Sequence, residues 1–483
     1  MNKNKETVKV NSMRNSLNHY KMMNKNDEMV LEIHDLLADG HGVGKAECGR
    51  AVFVPGALPG DVVRTKILKV KKQYAFGKIL QIIEPSSNRL NKDDPRICPE
   101  TKKSCGGCQF QQYEYAAQLS FKEKLVKDAL ERIGKVTEAS GCESLPISPI
   151  IGMDEPYNYR NKGQFPVGPQ GMGLYSPRSH KIVPIACCNI QLCEAVFVEV
   201  QKELQQHQIP TYNEETHKGL LRHVVIRVGE NTGEIMVIFV LNAKWPVDSF
   251  PMSICDDIAA TIGTDFGSSQ LSVVINENTD RTNVVLGNKF TTLRGSGYIH
   301  EEIGHIRYRI SPRAFFQVNT AQTAVLYEII ANHLHGGKVI DAYSGIGGIA
   351  LYIARKVNEV IGIESVPEAV EDGIYNAELN GINNTRFVCG FAEEVLPVLL
   401  EQEKPDVLIL DPPRKGADAA LINAIIDAQI PEIIYVSCNP STLARDVNLL
   451  ISDCYHLKSV QPVDMFPMTG HVETIIVLCR GDT

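Results

Sequence analysis

The chain has 483 residues, 13 cysteines and a formal net charge of -8. That length exceeds one ordinary core and predicts roughly two to four domains. No apolar run reaches bilayer-crossing length and the polar N-terminus has no h-region, so membrane spans and a secretory signal are excluded. The expectation is a cytoplasmic protein whose cysteines serve metal binding, catalysis or packing before disulfides.

Residues 1–26, rich in Asn, Lys and Met, read as a disordered tail. Residues 27–86 read as all-β. The runs 29–33, 51–54, 61–70 and 77–83 carry β-branched residues, and Gly and Pro punctuate them. So many short strands predict a small closed barrel. The acidic total argues against a nucleic-acid partner, yet residues 1–85 hold 14 Lys+Arg against 9 Asp+Glu. Lys66, Lys69, Lys71, Lys72 and Lys78 crowd one stretch of it.

A central α+β domain is expected over 87–319. It opens on Cys98, Cys105 and Cys108, with Cys187 or Cys188 far downstream. Three close thiols and a distant one fit an iron–sulfur cluster or structural zinc. Cys193 is a spare, and Cys48, Cys142, Cys255, Cys389, Cys454 and Cys479 read as packing residues. Residues 113–134 read as an amphipathic helix, and 220–228, 234–241 and 271–276 as strands. From 320 to 483 strands alternate with helices, which predicts a doubly wound, Rossmann-like parallel sheet.

The loop Asp341-Ala-Tyr-Ser-Gly-Ile-Gly-Gly348 follows the first of these strands and opens a helix. Its glycines let a ligand approach the backbone. Glu364, about twenty residues on, can take both ribose hydroxyls. The loop lacks the full G-x-G-x-x-G spacing of a dinucleotide site. An Asp-rooted loop with a later acid suits S-adenosylmethionine better.

Two more strand ends carry chemistry. Asp411-Pro412-Pro413-Arg414 follows one, and Ser437-Cys438-Asn439-Pro440 follows the next, with Gly470-His471-Val472-Glu473 near the end. In amino methyltransferases an aromatic follows the Pro pair, but here Arg414 does. Amines need no thiol to accept a methyl group, whereas uracil carbon 5 must first be activated by a nucleophile adding at carbon 6. A base then removes the carbon 5 proton. Cys438, beside a helix N-terminus that favours a thiolate, could be that nucleophile, with Asp411 and Glu473 as the carboxylates.

These motifs, with Thr442-Leu443-Ala444-Arg445-Asp446 and Phe315-Phe316-Gln317-Val318-Asn319, resemble those of the RNA uracil-C5 methyltransferase family nearly end to end. The resemblance implies Cys438 as nucleophile and Glu473 as general base. It implies S-adenosylmethionine contacts at Gln317, Tyr343, Glu364 and Asp411. Gly348 stands where the family often has Asn. Gly42–Lys45 and Phe53–Asp61 resemble a TRAM domain, an OB-like RNA-binding barrel, in which Tyr74 and Phe76 could stack on bases. Tyr159–Lys162 resembles a central-domain segment and is a candidate RNA contact.

The cysteine segment resembles that of the ribosomal-RNA branch, which carries a [4Fe-4S] cluster. That implies ligation by Cys98, Cys105, Cys108 and Cys188, with zinc the lesser alternative, although the first gap is one residue longer here. The TRAM domain and this segment imply 23S ribosomal RNA as substrate; its target uridine must leave its stack to reach Cys438, and a monomer with no membrane partner is expected. The alternatives are the same chemistry on tRNA, or a TRAM-containing assembly factor without activity. Radical methylthiotransferases also join TRAM to a cluster, but need C-x3-C-x2-C.

Overall fold

The computed structural model describes residues 23–137, 144–265, 271–452 and 455–481. The expected tail and the packing residues Cys142 and Cys454 fall mostly or wholly outside these. The tail's last residues are described: Met23 is buried in the barrel core, and Asn26 N–H donates to Ile67 O at 2.8 Å. The chain forms two compact units, one up to Asp94 with Gln112–Ala117, the other Pro95–Gln111 with Gln118 onward.

The first unit holds a closed barrel of β1 (Glu28–Leu36), β2 (His41–Lys45), β3 (Ala51–Pro55), β4 (Val62–Val70) and β5 (Tyr74–Glu84), in the order β1-β2-β3-β5-β4. Alternation sends Val52, Val54, Val63, Ile67 and Ala75 inward. It turns Phe53, Tyr74 and Phe76 outward, half-buried, with ring centroids 5.3 to 5.8 Å apart. Lys69, Lys71, Lys72 and Lys78 are exposed.

The second unit contains a seven-stranded sheet of β6 (Lys162–Gly168), β7 (Gly171–Tyr175), β8 (Ile182–Pro184), β9 (Leu221–Val228), β10 (Ile235–Leu241), β11 (Leu271–Glu277) and β12 (Lys289–Arg294). The hairpin β13 (Ile299–Ile303) and β14 (Ile306–Ile310) leads to another seven-stranded sheet. Its strands are β15 (Lys338–Ala342), β16 (Glu359–Glu364), β17 (Thr385–Cys389), β18 (Val407–Leu410), β19 (Glu432–Ser437), β20 (Tyr455–Val463) and β21 (Glu473–Arg480). The order is β17-β16-β15-β18-β19-β21-β20; β17 to β19 run parallel, and β21 pairs antiparallel with both β19 and β20. The expected border at residues 319/320 falls inside one continuous core. Val225, Ile238 and Val274 of the first sheet cluster with Tyr308, Leu326, Val339 and Ile434.

The helices are α1 (Tyr115–Arg132), α2 (Glu194–His207), α3 (Ser253–Asp265), α4 (Thr320–Asn332), α5 (Gly348–Ile353), α6 (Pro367–Leu379), α7 (Ala392–Glu403), α8 (Ala419–Ala428) and α9 (Pro440–Ile451). The part of α1 beyond Gln118 packs on the C-terminal sheet layer. Val126, Ala129 and Leu130 cluster with Leu421, Leu443 and Val447. Strand order reverses between β15 and β18. At such a switch point the loops leaving the carboxyl ends diverge and open a crevice for ligands.

Candidate active site

The crevice is lined by Phe315, Gln317, Tyr327, Asp341, Tyr343, Ser344, Gly345 and Asp411, among others. Asp341, at the end of β15, accepts a hydrogen bond from Ala350 N–H at 3.0 Å through Oδ2. Its Oδ1 is buried with no partner, as is Ser344 Oγ. Burial, then the Asp411 and Glu364 charges, push the Asp341 carboxyl up to about 8. Orphaned buried oxygens at a switch point are acceptors and donors reserved for a polar ligand. Their setting fits the ribose and amino acid parts of S-adenosylmethionine, which present hydroxyls and an ammonium.

Gln317 and Tyr343 line this crevice as expected, and so does Asp411. Glu364 sits at the end of β16, beneath the loop. Its oxygens accept N–H groups from Gly345 at 3.0 Å and Val366 at 2.7 Å. It therefore shapes the loop; Ser365 Oγ also donates to Oε1 at 3.2 Å, and Oε2 keeps a second lone pair. Gly348 has a local cause: a Cβ there would meet the Tyr327 hydroxyl at 2.4 Å. The Tyr308 hydroxyl donates to the Gly348 carbonyl at 2.7 Å. Tyr327 thus occupies the space that a side chain at 348 would need.

Cys438 stands between β19 and α9. Asn439 caps α9, its Oδ1 accepting Ser441 N–H at 3.1 Å, and Pro440 takes the first turn. The helix start expected from the sequence is present, but the thiolate it was expected to favour is not the resting state. Burial pushes the Cys438 thiol up to about 11, Glu473 and Asp411 add to that, and Arg414 opposes it. Glu473, buried at the start of β21, is pushed well above the usual carboxylate range by burial and then by Asp411. Burial raises Asp411 to about 7. His471 is held neutral, down to about 4, by burial and then by Arg414, Lys122 and Arg160. Sulfur, two carboxyls and one guanidinium thus act on one another, and one of them, Asp411, lines the crevice.

The segment carrying His471 and Glu473 is gripped almost residue by residue. Lys122 Nζ of α1 bonds Asp464 at 2.6 Å and the Phe466 carbonyl at 2.9 Å, with both charged side chains fully buried. The Tyr159 hydroxyl donates to Pro467 O, and Asn319 Nδ2 to Met465 O. Met468 N–H donates to Gln118 Oε1 at 3.1 Å. Its carbonyl accepts Gln109 and Phe110 N–H, both at 3.0 Å. Sequence reading missed this scaffold, because its partners lie hundreds of residues apart. Two residues of the Tyr159–Lys162 segment, read as an RNA contact, belong to this scaffold. Tyr159 is buried on Pro467, and Asn161 Nδ2 bonds Gln317 O and Thr320 Oγ1.

Cys98 and Cys188 are buried, and Cys105 and Cys108 half-buried. Cys188 faces Cys108, Cys98 and Cys105, whereas among these thiols Cys187 faces Cys98. Burial raises the thiols of Cys105, Cys108 and Cys188, and each is raised further by its neighbours' charge. Cys193 is 1% exposed and directs its sulfur at Gln191 Oε1, consistent with packing. Of the other cysteines, Cys255 is buried, but Cys389 is exposed at the end of edge strand β17, which corrects its reading as a packing residue.

A Rossmann-like sheet whose switch-point crevice fits S-adenosylmethionine is the arrangement of a methyltransferase. The family model described as tRNA (Uracil-5-)-methyltransferase matches residues 261–481, and the TRAM domain model matches residues 25–80. An uncharacterized RNA methyltransferase of Halalkalibacterium halodurans is 44% identical over 468 residues, 94% of this chain and 98% of its own. One of Clostridium acetobutylicum is 40% identical over 468 residues, 95% and 98% of the two chains. The crystal structure of the Pyrococcus abyssi tRNA (uracil-54, C5)-methyltransferase in complex with S-adenosyl-L-homocysteine matches with a TM-score of 0.72 and 27% identity. The match covers 93% of this chain and 100% of that one. The chain belongs to the RNA uracil-5-methyltransferase family, in the form that carries a TRAM domain. It is an S-adenosylmethionine-dependent RNA (uracil-C5)-methyltransferase.

Proposed function

We propose that the enzyme methylates carbon 5 of a uridine in 23S ribosomal RNA, as a monomer, through a covalent adduct at carbon 6. The observation that carries this reading is the mutual influence of Cys438, Asp411 and Glu473, with Asp411 also lining the crevice. When bound, S-adenosylmethionine supplies an electrophilic methyl group. Gln317, Tyr343, Glu364 and Asp411 hold and orient it. Cys438 would add to carbon 6, making carbon 5 the nucleophile that accepts the methyl group as the sulfonium carbon–sulfur bond breaks and S-adenosylhomocysteine leaves. Glu473 takes the carbon 5 proton, and that C–H pair re-forms the double bond as the carbon–sulfur bond breaks. Its raised affinity for protons suits a carboxylate asked to remove one from carbon.

Cys98, Cys105, Cys108 and Cys188 hold a [4Fe-4S] cluster in this reading. A single zinc ion at about 2.3 Å from each sulfur requires thiolates roughly 3.8 Å apart. Among the described residues, no three cysteine sulfurs lie within 4.8 Å of one another. A cubane holds its thiolates farther apart than one ion does, which favours the cluster. The contacts of Cys188 support it, rather than Cys187, as the fourth ligand.

A tRNA substrate is the second reading. It is favoured by the full-length likeness to the Pyrococcus abyssi enzyme, whose substrate is a tRNA. Labelled methyl transfer to unmodified 23S ribosomal RNA and to unmodified tRNA separates the two. Incorporation into ribosomal RNA alone is expected, and incorporation into tRNA alone overturns that choice. Cys438→Ala is expected to abolish turnover. Glu473→Gln is expected to leave RNA attached to protein as a denaturant-resistant band on a gel, and normal RNA binding without that band counts against Glu473 as the base.

A further inference from the structure

Four residues of the Cys438 motif turn back onto the loop after Asp411. Asn439 Nδ2 donates to the Arg414 carbonyl at 3.0 Å, and Thr442 Oγ1 to the same oxygen at 3.3 Å. Arg445 Nη2 donates to the Lys415 and Ala417 carbonyls, both at 3.1 Å. Asp446 Oδ2 accepts Ala417 N–H at 2.9 Å and the Tyr435 hydroxyl at 2.7 Å. Gly416, at φ +78°, closes the turn with its N–H on Pro413 O at 2.8 Å. A Cβ there would meet Asp446 Oδ2 at 2.5 Å. This outlay of side chains fixes the backbone at Arg414.

The bond from Asn439, the residue after Cys438, holds Arg414 against the Cys438 turn, and the guanidinium charge opposes the rise that burial gives the thiol. The charged groups that face this sulfur are Glu473 and Asp411, both acidic, and Arg414. Arg414 also faces Glu473 and the neutral His471. We propose that Arg414 is a catalytic residue that stabilises the Cys438 thiolate, and that Asn439, Thr442, Arg445 and Asp446 are positioning residues that hold its turn in place. The proposal rests on the reading of Cys438 as nucleophile. The S–H proton passes to water, the negative sulfur is retained beside the guanidinium, and the charge leaves sulfur when the bond to carbon 6 forms. Arg414 is exposed in the free protein, so an RNA base entering the pocket would cover it and strengthen the pairing.

The test is peptide-resolved alkylation of Cys438 by iodoacetamide across pH, on the full chain without RNA. Arg414→Gln is expected to move the midpoint up by about one unit and to slow alkylation below it roughly tenfold. Arg414→Lys moves it less, and Thr442→Val, which leaves the guanidinium in place but loosens the turn, falls between wild type and Arg414→Gln. S-adenosylhomocysteine binding checks that each variant is folded. If Arg414→Gln fails that check, Arg414→Lys and Thr442→Val decide: a profile unmoved in both overturns the proposal. A folded Arg414→Gln with the wild-type profile also overturns it, whatever the activity. Methyl transfer surviving in Cys438→Ala would instead remove the nucleophile reading and leave the alkylation result standing.

Discussion

Asp341 carries a carboxylate that the folded chain alone does not need. One oxygen caps the turn into α5; the other is buried without a partner. Its carboxyl is raised from 3.8 to about 8, chiefly by burial. A raised acid binds its proton more tightly when folded, so its stability contribution is complete below the unfolded value. That contribution is lost as pH rises through the folded value. Asp341→Asn keeps an acceptor for Ala350 and removes the titration. We expect it to raise the melting temperature, by little at pH 5 and by the equivalent of a few kcal/mol at pH 8. It should weaken S-adenosylhomocysteine binding at the same time. Calorimetric scans at both pH values with a binding titration check this, and an equal shift at the two pH values would contradict it. Asp341 was legible as the root of a Gly-rich loop, since backbone geometry leaves a local trace. The acid that shapes that loop, Glu364, was legible by position but not by its bonds to Gly345 and Val366.

Among the elements, periodicity located the parallel strands well. The expected strand at 338–342 is β15 as observed, and the helix expected at 367–379 is α6. The antiparallel additions β20 and β21, and the pairing of β10 with β11 across α3, were not legible. Strand order is decided by contacts between segments, and no local signal encodes it. The same holds for α1. Its apolar stripe read as an amphipathic helix, but the full burial of its Lys122 against Asp464, 342 residues away, left no local trace. Burial pulls the lysine below its usual range, with Asp464 opposing. Removing one partner strands the other, so Lys122→Met should cost about 3–5 kcal/mol in chemical denaturation. The double change Lys122→Met with Asp464→Leu should recover much of it. A single variant as stable as wild type would show that the pair is not sealed from water.

For the whole molecule, the net charge was the least informative number. An acidic total coexists with a barrel whose exposed Lys69, Lys71, Lys72 and Lys78 accompany three outward aromatic rings. Each lysine that neutralises a phosphate releases a counterion, so RNA affinity should fall steeply with salt. Replacing Lys69, Lys71 and Lys72 by Gln should weaken binding to any RNA. It should also flatten the log–log salt slope by roughly two to three. Filter binding from low to moderate salt reads both, and an unchanged slope would take these side chains out of the RNA path. No helix among the described residues is long and apolar enough to cross a membrane.

The Met468 carbonyl receives the two backbone N–H groups that follow directly after Cys108. Met468 lies five residues before Glu473, on the same gripped segment. Damage at the thiols would therefore not stay local. A change that loosens the turn at Cys108 would shift Gln109 and Phe110 and so tug on the strand entrance that carries Glu473.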